Sequence, residues 1–157
     1  MFINRVKRAL AEGRTQIGTG YGQIRTPEAV RILAAAGFDW IFIDTEHGVF
    51  HQETIQDLCR AATDNNMVPI VRVASLEYDL VARALDCGGQ GVIFPRVESV
   101  ELLQEAVSWT KFPPVGVRGF GLTPSYVNYE KATIPQILEH VNRETLVILQ
   151  IETQKAV

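Results

Sequence analysis

The fold of this chain is decided by the stretch Gly37-Phe38-Asp39-Trp40-Ile41-Phe42-Ile43-Asp44-Thr45-Glu46-His47-Gly48. Residues 40–43 are all apolar and do not alternate with polar residues, which is typical of a strand buried on both faces. The run stops at Asp44, and Glu46 and His47 follow almost at once. Charged groups at the tip of a buried strand need partners, and α/β barrels carry their chemistry at that end. The stretch therefore predicts either a functional site or a solvated loop with a helix cap.

Length and composition bound the class of protein. The chain has 157 residues, 46% of them hydrophobic and 21% charged, which suits one globular domain with a sizeable core. The net charge of -3 favours neither a nucleic acid nor an anionic membrane as a partner, and no apolar run has transmembrane length. Cys59 and Cys87 lie far apart without metal-binding spacing. Because reduced thiols are usual in the cytoplasm, and no signal peptide is recognisable, we expect a cytoplasmic protein.

Strand and helix patterns alternate along the chain. Every predicted strand after the first is a continuous apolar run, and amphipathic stretches separate the runs. This order predicts an α/β fold in which parallel strands are joined by helical crossovers, with the first helix covering one end of the fold. The predicted strands are residues 16–22, 38–43, 68–73, 92–98 and 146–152, and the predicted helices are residues 2–10, 27–36, 54–63, 78–86, 100–109 and 134–141.

Other strand tips carry polar residues as well. Arg72 lies in the third run, where an arginine is rare unless it is paired or binds an anion. Gln150 and Glu152 end the fifth run. Between them, residues 113–129 form a long irregular segment whose aromatic residues predict a packed, functional loop. Those aromatic residues are Phe120, Tyr126 and Tyr129.

Six short motifs occur in a fixed order and carry a family resemblance. They are Gly37-Phe38-Asp39-Trp40, Ile43-Asp44-Thr45-Glu46-His47, Pro69-Ile70-Val71-Arg72, Gly91-Val92-Ile93-Phe94-Pro95-Arg96-Val97, Gly116-Val117-Arg118-Gly119 and Gln150-Ile151-Glu152-Thr153. With these motifs the chain resembles the HpcH/HpaI family of class II, metal-dependent pyruvate aldolases. The resemblance implies a (β/α)₈ TIM barrel, a divalent metal (Mg²⁺, Mn²⁺ or Co²⁺), and cleavage or formation of 4-hydroxy-2-oxo acids with pyruvate and an aldehyde as the other reactants. It also implies small-molecule partners and a homo-oligomer at full length.

The resemblance also implies roles for individual residues. Glu152 would be a metal ligand, with Gln150 lining the substrate site. Arg72 would polarise the pyruvate ketone and stabilise the enolate, supported by Asp44. His47 would be the catalytic base, and Asp86 would match the carboxylate that pairs with this histidine. The Gly119 segment would border the site.

The residues themselves also allow structural roles. His47 could be a loop residue, and Glu152 could cap a helix that starts at Thr153. Arg72 could pair with Asp44 or Glu46 for structural reasons only, and Asp86 could be an exposed residue at a helix end.

The number of strands departs from the family pattern. Five strands are predicted, whereas such a barrel has eight and about 250 residues. The family's second metal ligand, an aspartate in a Gly-Pro-x-Asp-Leu segment after the sixth strand, has no counterpart here. We therefore expect residues 1–157 to be the N-terminal part of one barrel domain, ending after about five β/α units. The alternatives are a catalytically incompetent barrel fragment and a related metal-enolate lyase.

Overall fold

A parallel sheet of five strands organises the computed structural model, which describes residues 1–121 and 127–157. The strands follow one another in sequence order, and every neighbouring pair is parallel. They are β1 (Gly18–Tyr21), β2 (Trp40–Asp44), β3 (Val68–Arg72), β4 (Gly91–Phe94) and β5 (Leu146–Leu149). The helices are α1 (Arg5–Ala11), α2 (Pro27–Ala35), α3 (Gln52–Asp64), α4 (Tyr78–Asp86), α5 (Val100–Ser108) and α6 (Ile134–Glu144). The predicted α/β order is thus confirmed.

Both faces of the sheet are apolar, which explains why the strands do not alternate in sequence. On one face Ile41, Ile43 and Val71, all 0% exposed, pack against the helices in the main core. On the other face Trp40 and Phe42 pack in a second cluster. The remaining strand residues of that second cluster are Val68, Ile70, Ile93, Leu146 and Ile148. This second face ends in Asp44 on β2 and Arg72 on β3, because side chains two residues apart share a face.

Helix α1 covers the second cluster near the N-terminal ends of the strands. Its Val6 is 3% exposed and belongs to that cluster. Asn4, the N-cap of α1, is fully buried, and its side-chain amide donates to the carbonyl of Gln90, just before β4. The backbone amide of Asn4 donates to the Glu144 carboxylate at the end of α6. The predicted covering helix is therefore present.

Two strands end three or more residues earlier than the sequence predicts. Strand β4 ends at Phe94 because Pro95 has no N–H to continue the ladder. Strand β5 ends at Leu149, after which the amide of Gln150 still donates to the Phe94 carbonyl. Gln150 and Glu152 therefore lie in a loop and not within a strand. A short 3₁₀ turn, Gln154–Ala156, replaces the α-helix that the sequence allows from Thr153.

Two described aromatic residues that follow α5, Phe120 and Tyr129, are more exposed than the sequence predicts. Phe120 is 49% exposed and meets Phe112 edge-on, but Tyr129 is 76% exposed, so the predicted packing is wrong for Tyr129. Tyr126 lies outside the described residues. Within residues 1–121 and 127–157, no helix is long and apolar enough to cross a membrane.

Candidate active site

The polar residues of β2, β3 and β5 meet at one edge of the sheet. Asp44 and Arg72 are the last residues of neighbouring strands and face each other in register. His47 lies in the loop after β2, and Gln150 and Glu152 lie in the loop after β5. Because all five strands run in the same direction, these residues share the C-terminal edge. The structure thus gathers five of the six predicted site residues at one rim.

Arg72 is the centre of this rim. Its Nε donates to Asp44 Oδ1 at 3.0 Å and its Nη2 donates to Asp44 Oδ2 at 2.7 Å, which is a bidentate pair. Its Nη1 lies 3.1 Å from Glu46 Oε2 and 3.4 Å from Gln150 Oε1. The guanidinium also lies over the Phe42 ring, 5.0 Å from its centroid. These contacts fix the plane of the guanidinium, and they include both of the ion pairs considered as structural alternatives.

Arg72 and its two carboxylate partners are largely shielded from water. The side chains of Arg72 and Glu46 are 12% exposed, and that of Asp44 is 16% exposed. Burial by itself raises the pKa of Asp44, but hydrogen bonds from Arg72 and from the amides of His47 and Glu46 outweigh it, so the pKa lies below the ordinary value of 3.8. The carboxylate is therefore ionised at neutral pH.

The lowered pKa of Asp44 makes a prediction about acid stability. A depressed pKa in the folded state contributes stability that is fully present above pH 3.8 and is lost as the pH falls through the lower folded value. We expect Asp44→Asn to lower the free energy of unfolding by about 2 kcal/mol at pH 7, the size of a hydrogen bond to a charged group. The difference from the parent should shrink below pH 3.8.

Urea denaturation at a series of pH values would measure this difference. Asp57→Asn, at an exposed position on α3, is the matched control and should not change the pH dependence. An Asp44→Asn penalty that persists unchanged at low pH would contradict the prediction.

His47 is held by its backbone and has an exposed ring. Its amide donates to Asp44 Oδ1 at 3.2 Å, whereas its side chain is 74% exposed with Nε2 3.9 Å from Glu46 Oε1. Gly48 permits the turn that follows, since a Cβ there would lie 2.0 Å from the carbonyl oxygen of Asp44. The imidazole can therefore reach a substrate or a water molecule outside the rim.

Glu152 carries carboxylate oxygens, which are the type of ligand that Mg²⁺ and Mn²⁺ prefer. Its Oε2 accepts a hydrogen bond from the backbone amide of Arg96 at 3.0 Å. Gln150 adds an amide oxygen two residues earlier. No group of three or more His, Cys, Asp or Glu ligands occurs among the described residues, so these residues fit such a metal chemically but provide only part of a coordination shell.

The structure does not bring Asp86 to the rim. Asp86 is the last residue of α4, and a helix that connects two parallel strands ends at the opposite, N-terminal edge of the sheet. Its Oδ1 accepts from Arg118 Nη2 at 2.7 Å, and its side chain is 47% exposed. Within this chain, the implied pairing of Asp86 with His47 is therefore not formed.

The Gly119 segment contacts α4. The backbone amide of Gly119, next to Arg118, donates to the Tyr78 hydroxyl at 2.8 Å.

Two ion-pair residues of the structure, Arg118 and Glu46, are not among the site residues that the sequence predicts. Arg118 is 2% exposed, and nothing in its local sequence pattern indicates a buried ion pair. For Glu46 the sequence indicates only a structural ion pair with Arg72. Its place two residues after Asp44 was the available signal.

Comparison with known proteins identifies the family. The model for the HpcH/HpaI aldolase/citrate lyase family matches residues 21–157. A pyruvate aldolase of Rhizobium etli is 34% identical over 154 residues, which are 98% of this chain and 59% of the relative. A 5-keto-4-deoxy-D-glucarate aldolase of an Enterobacter species is 32% identical over 157 residues, 100% of this chain and 60% of the relative. The chain thus spans about three fifths of the length of these curated relatives.

A solved structure gives the same result for the fold. The crystal structure of an HpcH/HpaI aldolase from Desulfitobacterium hafniense matches with a TM-score of 0.90 and 31% identity, covering 96% of this chain and 58% of that chain. The predicted (β/α)₈ TIM-barrel type is thereby confirmed, with the five strands forming part of such a barrel. On the match over residues 21–157 and this structural likeness, the chain belongs to the HpcH/HpaI aldolase/citrate lyase family.

Proposed function

We propose that the protein carrying this chain is a metal-dependent aldolase that splits or forms a 4-hydroxy-2-oxo acid, with pyruvate and an aldehyde as the other reactants. The observation that carries the proposal is the position of Arg72, whose guanidinium is held by Asp44 and Glu46 at the rim of a fold shared with aldolases. Residues 1–157 would form the N-terminal part of a single barrel domain.

The charges at the rim support a cationic cofactor. Arg72 lies within electrostatic range of the carboxylates of Asp44, Glu46 and Glu152. Three carboxylates against one guanidinium leave a formal charge of -2, and negative potential of this kind attracts a divalent cation. Glu152 would hold the cation. When bound, it would act as a Lewis acid on the substrate's oxygen atoms.

The residues of the chain would take the following parts in aldol cleavage. His47, through a water molecule, would accept the proton of the substrate's 4-hydroxyl group as the bond between C3 and C4 breaks. The aldehyde leaves, and the electrons of the broken bond form the enolate of pyruvate. Arg72 would donate a hydrogen bond to the enolate oxygen, and a proton added at C3 gives pyruvate. Asp44 would keep the guanidinium in position, and Gln150 would line the substrate pocket.

The substrate is proposed as a class. The R. etli relative is named a pyruvate aldolase and the Enterobacter relative a 5-keto-4-deoxy-D-glucarate aldolase, so both names give an aldolase but not the same substrate. A small-molecule substrate also suits the net charge of -3, which does not favour nucleic acid. Homo-oligomer formation, the identity of the metal and the cytoplasmic location stay predictions.

The test of this function is pyruvate release with His47→Ala as the diagnostic variant. With Mn²⁺ and a 4-hydroxy-2-oxo acid, the parent enzyme should release pyruvate, and chelation of the metal should stop the release. His47→Ala should lower kcat by about 10²–10⁴-fold, the usual loss on removal of a general base, without a comparable loss of Mn²⁺ affinity. A coupled assay that reduces pyruvate with NADH would measure the rate.

His51→Ala is the matched control, because His51 is an exposed residue just before α3 and its side chain makes no capping hydrogen bond. Near-parent kcat in His47→Ala would remove this residue from the mechanism. Absence of metal-dependent pyruvate release in the parent, across several aldehyde classes, would overturn the function itself.

A further inference from the structure

The backbone at Arg96 has an unusual conformation. Its φ is +51°, in the left-handed region that residues other than glycine rarely adopt. Arg96 follows Pro95, directly beyond the end of β4, and it is exposed. The conformation therefore serves some contact of the backbone, since burial of the side chain does not explain it.

That contact is with Glu152. The Arg96 amide donates to Glu152 Oε2 at 3.0 Å, between residues 56 positions apart in sequence. At the end of the β4–β5 pair, the Gln150 amide donates to the Phe94 carbonyl at 2.9 Å. Beyond this point, the backbone amide of Arg96 in the loop after β4 donates to a side chain of the loop after β5.

A second connection ties the same two loops together. Glu98 Oε2 lies 3.4 Å from Lys155 Nζ, which forms an exposed ion pair between the same two loops. Because surface ion pairs are individually weak, this pair adds little by itself to the hydrogen bond between the Arg96 amide and the Glu152 carboxylate.

We infer that Arg96 is a positioning residue that acts through its backbone: its left-handed amide fixes the orientation of the Glu152 carboxylate toward the divalent cation. This inference rests on the proposed function. Hydrogen bonds to a ligating carboxylate hold the ligand in place before the metal arrives, and their loss typically lowers metal affinity by about 10–100-fold. The guanidinium of Arg96 has no part in the effect.

Variants at residue 96 separate the backbone from the side chain. Arg96→Gly and Arg96→Asn remove the guanidinium but accommodate a positive φ, whereas Arg96→Val also removes it and disfavours that conformation. The full-length enzyme is titrated with Mn²⁺ alone, and the signal of the free ion is followed by electron paramagnetic resonance. The Arg96→Gly and Arg96→Asn variants should bind Mn²⁺ with nearly the affinity of the parent. Arg96→Val should bind Mn²⁺ about tenfold or more weakly.

Each outcome decides the inference. Equal affinity in Gly, Asn and Val variants would overturn it, as would equal weakening in all three, which would assign the effect to the side-chain charge. If Arg96→Val does not fold, as judged by circular dichroism, Arg96→Ala replaces it and should lie below Arg96→Gly in Mn²⁺ affinity. Equality of Ala and Gly would then contradict the inference.

Glu152→Gln separates this inference from the proposed function. If Glu152→Gln binds Mn²⁺ as the parent does, the metal assignment in the proposed function fails. If Glu152→Gln loses Mn²⁺ but the variants at residue 96 do not differ, the function stands and only the positioning role of Arg96 is lost.

Discussion

Arg72→Ala is expected to lower kcat/KM for aldol cleavage by at least about 10³-fold, the upper range for loss of one preorganised donor to a developing oxyanion. The expectation follows from the geometry, since Asp44 and Glu46 hold the guanidinium in a fixed plane before substrate arrives. An already oriented cation needs little reorganisation as the enolate charge develops. Its loss also leaves two shielded carboxylates without their partner, so the negative potential at the rim would repel an anionic enolate.

Arg72→Lys should restore little of the lost activity. An ammonium group cannot make the bidentate contact with Asp44 while also reaching toward Glu46 and Gln150, because the planar fork is absent. Steady-state kinetics with pyruvate release as the readout would measure both variants, with circular dichroism to establish that they fold.

Arg31→Ala is the matched control, since Arg31 pairs with Glu28 on the surface of α2 and is 61% exposed. This variant should retain parent kinetics. Folded Arg72→Ala or Arg72→Lys enzyme with kcat/KM near that of the parent would show that the ion pairs of Arg72 are structural only.

The rim could be predicted from sequence because its residues are local to strand ends. Each strand after the first is recognisable as an apolar run, and parallel strands bring their C-terminal ends to one edge. Asp44 and Arg72 lie at consecutive strand ends, so their proximity needed no knowledge of distant contacts. The same reasoning places Gln150 and Glu152 at the C-terminal edge of the sheet, although both residues lie just beyond the end of β5.

Asp86 could not be placed at the rim by the same reasoning, and strand direction explains why. A helix that connects two parallel strands returns to the N-terminal edge, so its last residue lies far from the strand tips. The partner of Asp86, Arg118, comes from a segment without regular structure, whose path depends on tertiary contacts. The positive φ of Arg96 also could not be predicted from local sequence. Pro95 marks the end of a strand, but it gives no sign of a contact between Arg96 and Glu152.

The polypeptide of residues 1–157, expressed alone, is expected to associate and to lack aldolase activity. Its sheet has two open edges, at β1 and β5, and unpaired edges of apolar strands are templates for association. Apolar residues near the β5 edge are accessible: Leu149 is 40% exposed and Ile151 is 52% exposed. On the inner face, Trp40 and Ile148 are only partly buried.

The energy involved is comparable with the stability of a whole domain. At about 25 cal/mol per Å² of apolar area, a few hundred Å² left uncovered corresponds to on the order of 5–10 kcal/mol. Association that covers the edges would recover part of this energy. Addition of Mn²⁺ with pyruvate should not restore the lost stability, because the described residues offer fewer than three clustered metal ligands.

Size-exclusion chromatography with light scattering, over a range of protein concentrations, would measure the association. Leu149→Lys places a charge on the β5 edge and should shift the population toward smaller species, since edge lysines oppose strand pairing. Ile32→Lys, at a 63% exposed position on α2, is the matched control and should leave the distribution unchanged. A monomeric parent that releases pyruvate in a metal-dependent way would show that these five strands bury enough surface, and hold enough of the site, to act alone.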